Sequence, residues 1–168
     1  MGLKISDHFF DSDPKKLEKL ENEAKKMLKE NSDESKSTNA FVSFAEEDLN
    51  EVNLLRGQAK NDNTDLEFKD YSVKEPYDST DADYIKRNIR EKIKQTSVTI
   101  VYVSENTSKS RWVNWEIEES VRLGKHVLAV YRGSTPPKNL PKAIKENNIN
   151  VIKWSHAGIM NEIKKSKK

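Results

Sequence analysis

Short apolar runs alternate with amphipathic segments along residues 39–168, and this alternation most constrains the fold of the chain. In the clearest run, Ser97–Val103, most side chains are β-branched. Similar apolar runs occupy residues 40–44, 66–68, 126–131 and 149–154, and helical periodicity occupies residues 49–59, 82–94, 111–123, 139–146 and 158–165. Continuously apolar strands separated by helices predict a parallel sheet that is covered by helices on both faces.

Five β-α repeats in a unit of this size predict an α/β domain with the flavodoxin-like strand order 2-1-3-4-5. In that order strands 1 and 3 are neighbours, and the connections that follow them leave in opposite directions. Ligands bind such sheets in the crevice at the carboxyl ends of these two strands. Two loops border the predicted crevice, the one after Phe44 and the one at residues 104–110.

The first 38 residues have a different pattern and are predicted to form a helical arm. Asp13 and Pro14 are typical of a helix start, and apolar side chains then recur every three or four residues: Leu17, Leu20, Ala24, Met27 and Leu28. Residues 31–38 contain no apolar side chain and predict a polar linker. The predicted domains are therefore residues 1–38, an N-terminal amphipathic helix with its linker, and residues 39–168, the α/β domain. Because the apolar stripe covers so few turns, we expect it to pack on the domain and not to form a coiled coil.

Composition disfavours several classes of function. Lys plus Arg number 30 and Asp plus Glu number 28, and the charges are mixed along the chain, which predicts no nucleic-acid-binding surface. The absence of cysteine excludes disulfides, thiolate metal sites and cysteine catalysis, and three scattered histidines predict no metal site. No apolar run approaches the ~20 residues of a membrane span, and the N-terminus lacks a signal-peptide pattern. We therefore expect a cytoplasmic protein without a membrane partner.

The segment at residues 104–117 has the most unusual composition of the chain. It contains two of the three tryptophans, and any of three hydroxyl residues could cap the helix that follows: Thr107, Ser108 or Ser110. Trp112 and Glu116 are four residues apart, so they share a helix face that begins at the predicted crevice. A carboxyl group beside an indole is partly desolvated, and its pKa is tunable. Spacing alone nevertheless favours a solvated glutamate and a core tryptophan, because 35% of the residues are charged.

Two motifs in the chain resemble boxes of TIR domains. Phe41-Val-Ser-Phe44 followed by Asp48 resembles the F-x-S-x-x-x-x-D pattern of strand 1, and Ser110-x-Trp112-x-x-x-Glu116 resembles the S-x-W-x-x-x-E pattern after strand 3. Residues 66–76, 84–93 and 108–117 are together similar to the bacterial TIR-like family that includes the ThsB component of Thoeris anti-phage systems. The resemblance extends over roughly residues 39–131, although Val113 stands where many TIR domains have cysteine.

This resemblance implies a TIR-like enzyme that cleaves NAD between nicotinamide and ribose and makes a cyclic ADP-ribose-type messenger in anti-phage defence. It implies that Glu116 is catalytic and that residues 74–83 close over the nucleotide. The residues that it places around NAD are Ser43, Phe44, Ala45, Asp70, Tyr71, Ser72 and Trp112. NAD is then the substrate and no separate cofactor is expected. A downstream effector would be reached through the diffusible nucleotide, and homo-oligomerisation is left open.

Two other functions stay open on the sequence. Many TIR domains act as non-catalytic protein–protein assembly modules, which predicts self-association without NAD turnover. A phosphate-accepting receiver of the same fold would need an acidic pair after strand 1 and an aspartate at the end of strand 3. Glu46, Glu47 and Asp48 could supply the pair, but strand 3 ends in Val103-Ser104, so the receiver is disfavoured.

Overall fold

The computed structural model describes residue 15 and residues 18–26, 38–61, 66–67 and 81–167 of the chain. The chain divides into two compact units, Met1–Lys36 and Ser37–Lys168. In the first unit, residue 15 and residues 18–26 are helical and form α1. The stripe residues Leu17, Met27 and Leu28 lie outside the described residues, as does Phe68 of the second predicted strand.

The second unit alternates strands with helices. Its strands are β1 (Thr38–Ser43), β2 (Leu66–Glu67), β3 (Val98–Tyr102), β4 (His126–Tyr131) and β5 (Val151–Lys153), and its helices are α2 (Leu49–Asn61), α3 (Ala82–Lys94), α4 (Arg111–Arg122), α5 (Lys142–Glu146) and α6 (His156–Ser166). The described strands pair in parallel in the order β2-β1-β3-β4-β5, and β2 contributes a ladder of two residue pairs. The predicted α/β class and its parallel sheet with helices are confirmed.

Apolar clusters cover both faces of the sheet, which explains why the strands are almost continuously apolar. Even-numbered side chains of β1 and β3 pack against α2 and α6, whereas their odd-numbered side chains face α3 and α4. In the register of these strands, Phe41 lies opposite Thr99 and Ser43 lies opposite Val101. Ser43 and Thr99 are therefore polar side chains on the face that α3 and α4 cover.

Local capping interactions determine where several helices begin and end. Of the three candidate caps for α4, Ser110 is the one that acts, because its Oγ accepts a hydrogen bond from the Val113 amide at 3.2 Å. A glycine directly after the periodic segment 111–123 predicts a left-handed cap at Gly124, and Gly124 indeed follows α4 with a φ of 69°. The predicted start of α5 at Asn139 is wrong, because the extended backbone of Pro141 delays the helix to Lys142.

The sequence of residues 82–94 predicts that Tyr84 shares one helix face with Ile85, Ile89 and Ile93, but helix α3 buries only the three isoleucines. Ile85, Ile89 and Ile93 are at most 8% exposed, whereas Tyr84 is 44% exposed. Adjacent helix residues point in different directions, so Tyr84 cannot share the direction of Ile85. No helix within the described residues is long and apolar enough to cross a bilayer.

Candidate functional site

Glu116 lies on the side of α4 that faces the sheet. It is 9% exposed. The completely buried side chains of the same helix are Val113, Ile117 and Ser120, which follow one another at intervals of four and three residues. This spacing places all four side chains on one side of the helix. The interpretation of Glu116 as a solvated glutamate, which spacing alone favoured, is therefore wrong.

The carboxyl group of Glu116 meets the carboxyl end of β1. Ser43 Oγ donates a hydrogen bond to Glu116 Oε2, and Ser43 is itself 1% exposed. Ser43 is the last residue of β1, and Glu116 lies in the second turn of α4. The contact therefore joins the two motifs that resemble TIR boxes at the predicted edge of the sheet.

Burial raises the pKa of Glu116 to about 7. The hydrogen bond from Ser43 and the positive charge of Lys92 both lower this pKa, but desolvation has the larger effect. A carboxyl group with a pKa near neutrality can hold or release a proton at physiological pH. Enzymes use this range for acid–base groups, so the perturbation makes Glu116 a candidate functional residue.

Two further hydroxyl groups form a chain of hydrogen bonds that ends on the backbone of Glu116. Ser120 Oγ donates to the carbonyl oxygen of Glu116 at 2.7 Å, and Thr99 Oγ1 donates to Ser120 Oγ at 2.9 Å. Both side chains are completely buried. This pair was not predicted from the sequence, although Thr99 interrupts an apolar strand and Ser120 occupies an apolar row of α4. A polar residue at an otherwise apolar position was the available signal.

The two loops that border the predicted crevice are joined by hydrogen bonds. Asp48, which is 5% exposed, accepts from Ser104 Oγ at 2.6 Å and from Asn106 Nδ2 at 3.1 Å. The Ser104 amide in turn donates to Thr107 Oγ1 at 2.7 Å. Asp48 therefore ties the loop after β1 to the loop after β3. Within the described part of the chain, no group of three or more His, Asp or Glu side chains could hold a metal ion.

Phe44 and Ala45 follow Ser43 but have different surroundings. Phe44 packs against the cluster on the α2 side of the sheet, and the Arg56 guanidinium lies 5.5 Å from the centre of its ring. Ala45 is 2% exposed. These two residues therefore contribute to the loop after β1, whereas Ser43 alone of the three is recorded as hydrogen-bonded to Glu116.

Trp112 is 40% exposed at the start of α4. Its ring contacts the ring of Trp115 edge-on, with 6.2 Å between the ring centroids. The cations of Lys86 and Arg90 lie 5.9 Å and 6.0 Å from the centre of the Trp115 ring. Trp112 is thus the solvent-facing member of an aromatic pair, not a core residue.

The remaining predicted contacts with the nucleotide fall in the connection between β2 and α3. Asp70, Tyr71 and Ser72 lie outside the described residues, as do residues 74–80 of the predicted lid. The role proposed for these residues therefore stays a prediction.

Glu119, one turn beyond Trp115 on α4, has the opposite electrostatic environment to Glu116. It forms ion pairs with Arg122 on its own helix and with Arg90 on α3. The hydrogen bond from Arg122, followed by that from Arg90, lowers the pKa of Glu119 to about 2 against the opposing effect of burial. The pKa values of the two glutamates on this helix are therefore moved in opposite directions. Glu119 stays charged at neutral pH, whereas Glu116 can exchange a proton.

Taken together, these features define a class of protein, a parallel α/β domain with a buried glutamate held between the first strand and the helix after the third. The model of the family described as Thoeris protein ThsB, TIR-like domain, matches residues 41–136, which is more than half of the chain. The chain therefore belongs to this family and carries a TIR-type signalling module. The match confirms the resemblance drawn from the sequence motifs.

Among solved structures, the chain is similar to the TIR domains of the activated Roq1 resistosome directly recognizing the pathogen effector XopQ. The identity is 19% and the TM-score is 0.42, and the match covers 59% of this chain and 60% of that chain. The match thus spans less than two thirds of the resistosome chain. No curated protein matches the sequence.

Proposed function

We propose that this protein is a NAD-processing signalling enzyme in anti-phage defence. In this proposal it cleaves the bond between nicotinamide and ribose and converts the remainder of NAD into a cyclic ADP-ribose-type messenger. The observation that carries the proposal is the buried carboxyl group of Glu116, which accepts a hydrogen bond from Ser43 where β1 ends. Membership of the ThsB family supports it.

The proposed reaction needs few protein groups. Nicotinamide in NAD is a cation, and it leaves as a neutral molecule with the electron pair of the broken C–N bond. The ribose carbon then carries positive charge, as in other glycosyl transfers. An internal nucleophile of ADP-ribose attacks this carbon and loses its proton, and the new bond closes the ring. Attack by water instead gives linear ADP-ribose.

Glu116 is suited to stabilise this positive charge when it is ionised. A desolvated carboxylate interacts with a developing cation more strongly than a carboxylate in water does. A bound cationic nicotinamide would favour the ionised form, because a nearby positive charge lowers the pKa of a carboxyl group. Substrate binding itself would therefore convert Glu116 from its partly protonated resting form into the form that assists bond cleavage.

In this proposal NAD is the substrate, and the protein requires no other cofactor. The messenger diffuses through the cytoplasm to a downstream effector, so the two proteins need no direct contact. Phe44, Ala45, Trp112 and residues 70–72 would complete the nucleotide site around Ser43 and Glu116.

The test compares NAD consumption by three forms of the full-length protein, purified and in lysates of phage-infected cells. These are wild type, Glu116→Gln and Glu118→Gln. Glu118 is the matched control, because it is an exposed glutamate on the same helix. We expect a nucleotide product, identified by mass spectrometry, from wild type and from Glu118→Gln. Glu116→Gln should lose on the order of 10²-fold or more in rate, the loss typical for one electrostatic catalytic group.

Full NAD turnover by folded Glu116→Gln would refute the catalytic assignment. Absence of turnover by wild type, in cells that the protein defends, would refute the enzyme itself. The circular dichroism spectrum of each variant establishes that it is folded before its rate is interpreted.

A second candidate function, a non-catalytic assembly module, is supported by the exposure of Trp112. An indole that is 40% exposed beside a second tryptophan is typical of interaction surfaces. This function predicts concentration-dependent self-association in sedimentation experiments, loss of that association in Trp112→Ala, and no NAD turnover. A monomeric wild type at all concentrations would exclude homotypic assembly.

A further inference from the structure

Two buried hydroxyl groups interrupt the apolar contact between β3 and α4. Thr99 and Ser120 are completely buried, and so are their apolar neighbours Val101 on the strand and Ile117 on the helix. A buried hydroxyl costs about 1–3 kcal/mol unless it is hydrogen-bonded, and an apolar pair of the same shape can be equally stable. Stability of the contact alone therefore does not explain why polar side chains occupy these positions.

The hydrogen bonds of this pair lead to Glu116. Thr99 Oγ1 donates to Ser120 Oγ, which donates to the carbonyl oxygen of Glu116. We propose that Thr99 and Ser120 are positioning residues that hold Glu116 against Ser43. The importance of this placement for catalysis rests on the proposed function, but the placement itself does not.

The positions of the two contacts explain how the pair can orient Glu116. Thr99 lies opposite Phe41, which precedes Ser43 by two residues on the same face of β1. Ser120 lies one turn beyond Glu116, so the helix contacts the sheet at two successive turns, once through each residue. These two hydrogen bonds reach adjacent strands from successive turns of α4, so each one resists a rotation of the helix about the other. A displacement of about 1 Å in such a site can lower a rate by on the order of 10²-fold.

Thr99→Val tests this proposal because it removes the hydroxyl group while it keeps the shape of the side chain. Thr96→Val is the matched control. Thr96 is also buried, at 3% exposure, but its hydroxyl group donates to the Ile93 carbonyl at 2.9 Å, at the end of α3. Thr99→Ser keeps the hydroxyl group and serves as the conservative rescue.

The first readout is steady-state NAD turnover by the full-length variants under the conditions in which wild type is active. We expect Thr99→Val to lower kcat on the order of tenfold with a smaller change in KM, because a misplaced carboxylate affects the transition state more than the binding of substrate. Thr96→Val and Thr99→Ser should keep the wild-type kcat. A merely structural role would instead lower kcat equally in Thr99→Val and Thr96→Val.

The second readout does not require enzymatic activity. The carboxyl resonance of Glu116 is titrated by ¹³C NMR in each variant and assigned by its absence in Glu116→Gln. Desolvation is the largest effect on this group, and Ser43 and Lys92 oppose it. A loosened helix admits water, so Thr99→Val should lower the pKa of Glu116 towards its ordinary value, whereas Thr96→Val should not.

The two readouts separate the two proposals. A titration of Glu116 that is the same in Thr99→Val and Thr96→Val, together with equal kcat values, overturns the positioning role. A lowered pKa in Thr99→Val alone, in a protein that never consumes NAD, supports the positioning role and overturns the proposed enzyme.

Discussion

Glu116 is expected to make the protein less stable as the pH rises from about 5 to about 8. Burial raises the pKa of its carboxyl group to about 7 in the folded state, against an ordinary value of 4.5 in the unfolded chain. Between these values the folded state binds more protons than the unfolded state. The stabilisation by the protonated group is therefore fully present below the unfolded pKa and is lost as the pH rises through the folded pKa.

The magnitude follows from the displacement of the pKa. Each unit corresponds to about 1.4 kcal/mol, so a rise from 4.5 to about 7 gives about 3 kcal/mol in total. Integrated between about pH 5 and about pH 8, the expected change in the free energy of unfolding is roughly 2–3 kcal/mol. Because Glu116 is 9% exposed, solvent screening reduces this figure little.

The assay is urea unfolding of wild type and Glu116→Gln at a series of pH values. The difference between the two proteins at each pH cancels the titration of all other groups, including Glu119. Glutamine can still accept the hydrogen bond from Ser43, so the substitution chiefly removes the proton exchange. We expect Glu116→Gln to gain roughly 2–3 kcal/mol relative to wild type between about pH 5 and about pH 8, with unchanged denaturant slopes.

The control is Glu118→Gln, which replaces an exposed glutamate of the same helix and leaves the buried carboxyl group in place. Parallel profiles for wild type and Glu116→Gln would refute the reasoning, since they would show that Glu116 has its ordinary pKa in the folded protein. A gain in stability of Glu116→Gln over wild type that grows as the pH falls would also refute the reasoning, because a lowered pKa of Glu116 gives this pH dependence.

Three further predictions concern other parts of the fold and are tested by chemical denaturation. Asp48→Asn should cost about 1–3 kcal/mol, because it replaces a buried acceptor of two hydrogen bonds, whereas exposed Glu47→Gln should cost little. Glu119→Gln should destabilise the protein above the ordinary glutamate pKa of 4.5, and the difference from wild type should shrink as the pH falls towards about 2, because a lowered pKa stabilises only the charged form. Gly124→Ala should cost about 1 kcal/mol, because Gly124 has a positive φ. Gly57→Ala in α2 should instead stabilise the protein by roughly 0.5–1 kcal/mol, because an added Cβ has free space there. Equal effects of the two substitutions would contradict this account.

The fold could be predicted because its strongest signals are local. The β-branched run at β3, the isoleucine row of α3 and Gly124 after α4 each specify their own element, and together they specify the parallel sheet. The start of α5 could not be predicted as well, because the backbone of Pro141 decides it. The predicted burial of Tyr84 is wrong, because Tyr84 precedes Ile85 by one residue and so points about 100° away from it around the helix.

The site could be predicted only in part, because it depends on which row of α4 faces the sheet. The two motifs predicted that the end of β1 and the start of α4 border the same crevice, but the spacing of residues could not distinguish a buried Glu116 from a solvated one. The row that contains Val113, Ile117 and Ser120 settles this, since Glu116 lies between its members. Ser120 interrupts this row, and the structure explains its polarity, because Thr99 donates a hydrogen bond to it across the interface.

Helix α4 combines a destabilising glutamate with contacts that keep the helix in place. The buried carboxyl group of Glu116 favours separation of the helix from the sheet once it is ionised, because water solvates the charge better. Glu119 opposes this movement through its ion pair with Arg90 on α3, and Ser120 opposes it through Thr99 on β3. A carboxyl group that costs stability at neutral pH and is nevertheless held by its neighbours is more consistent with a functional role than with a role in folding.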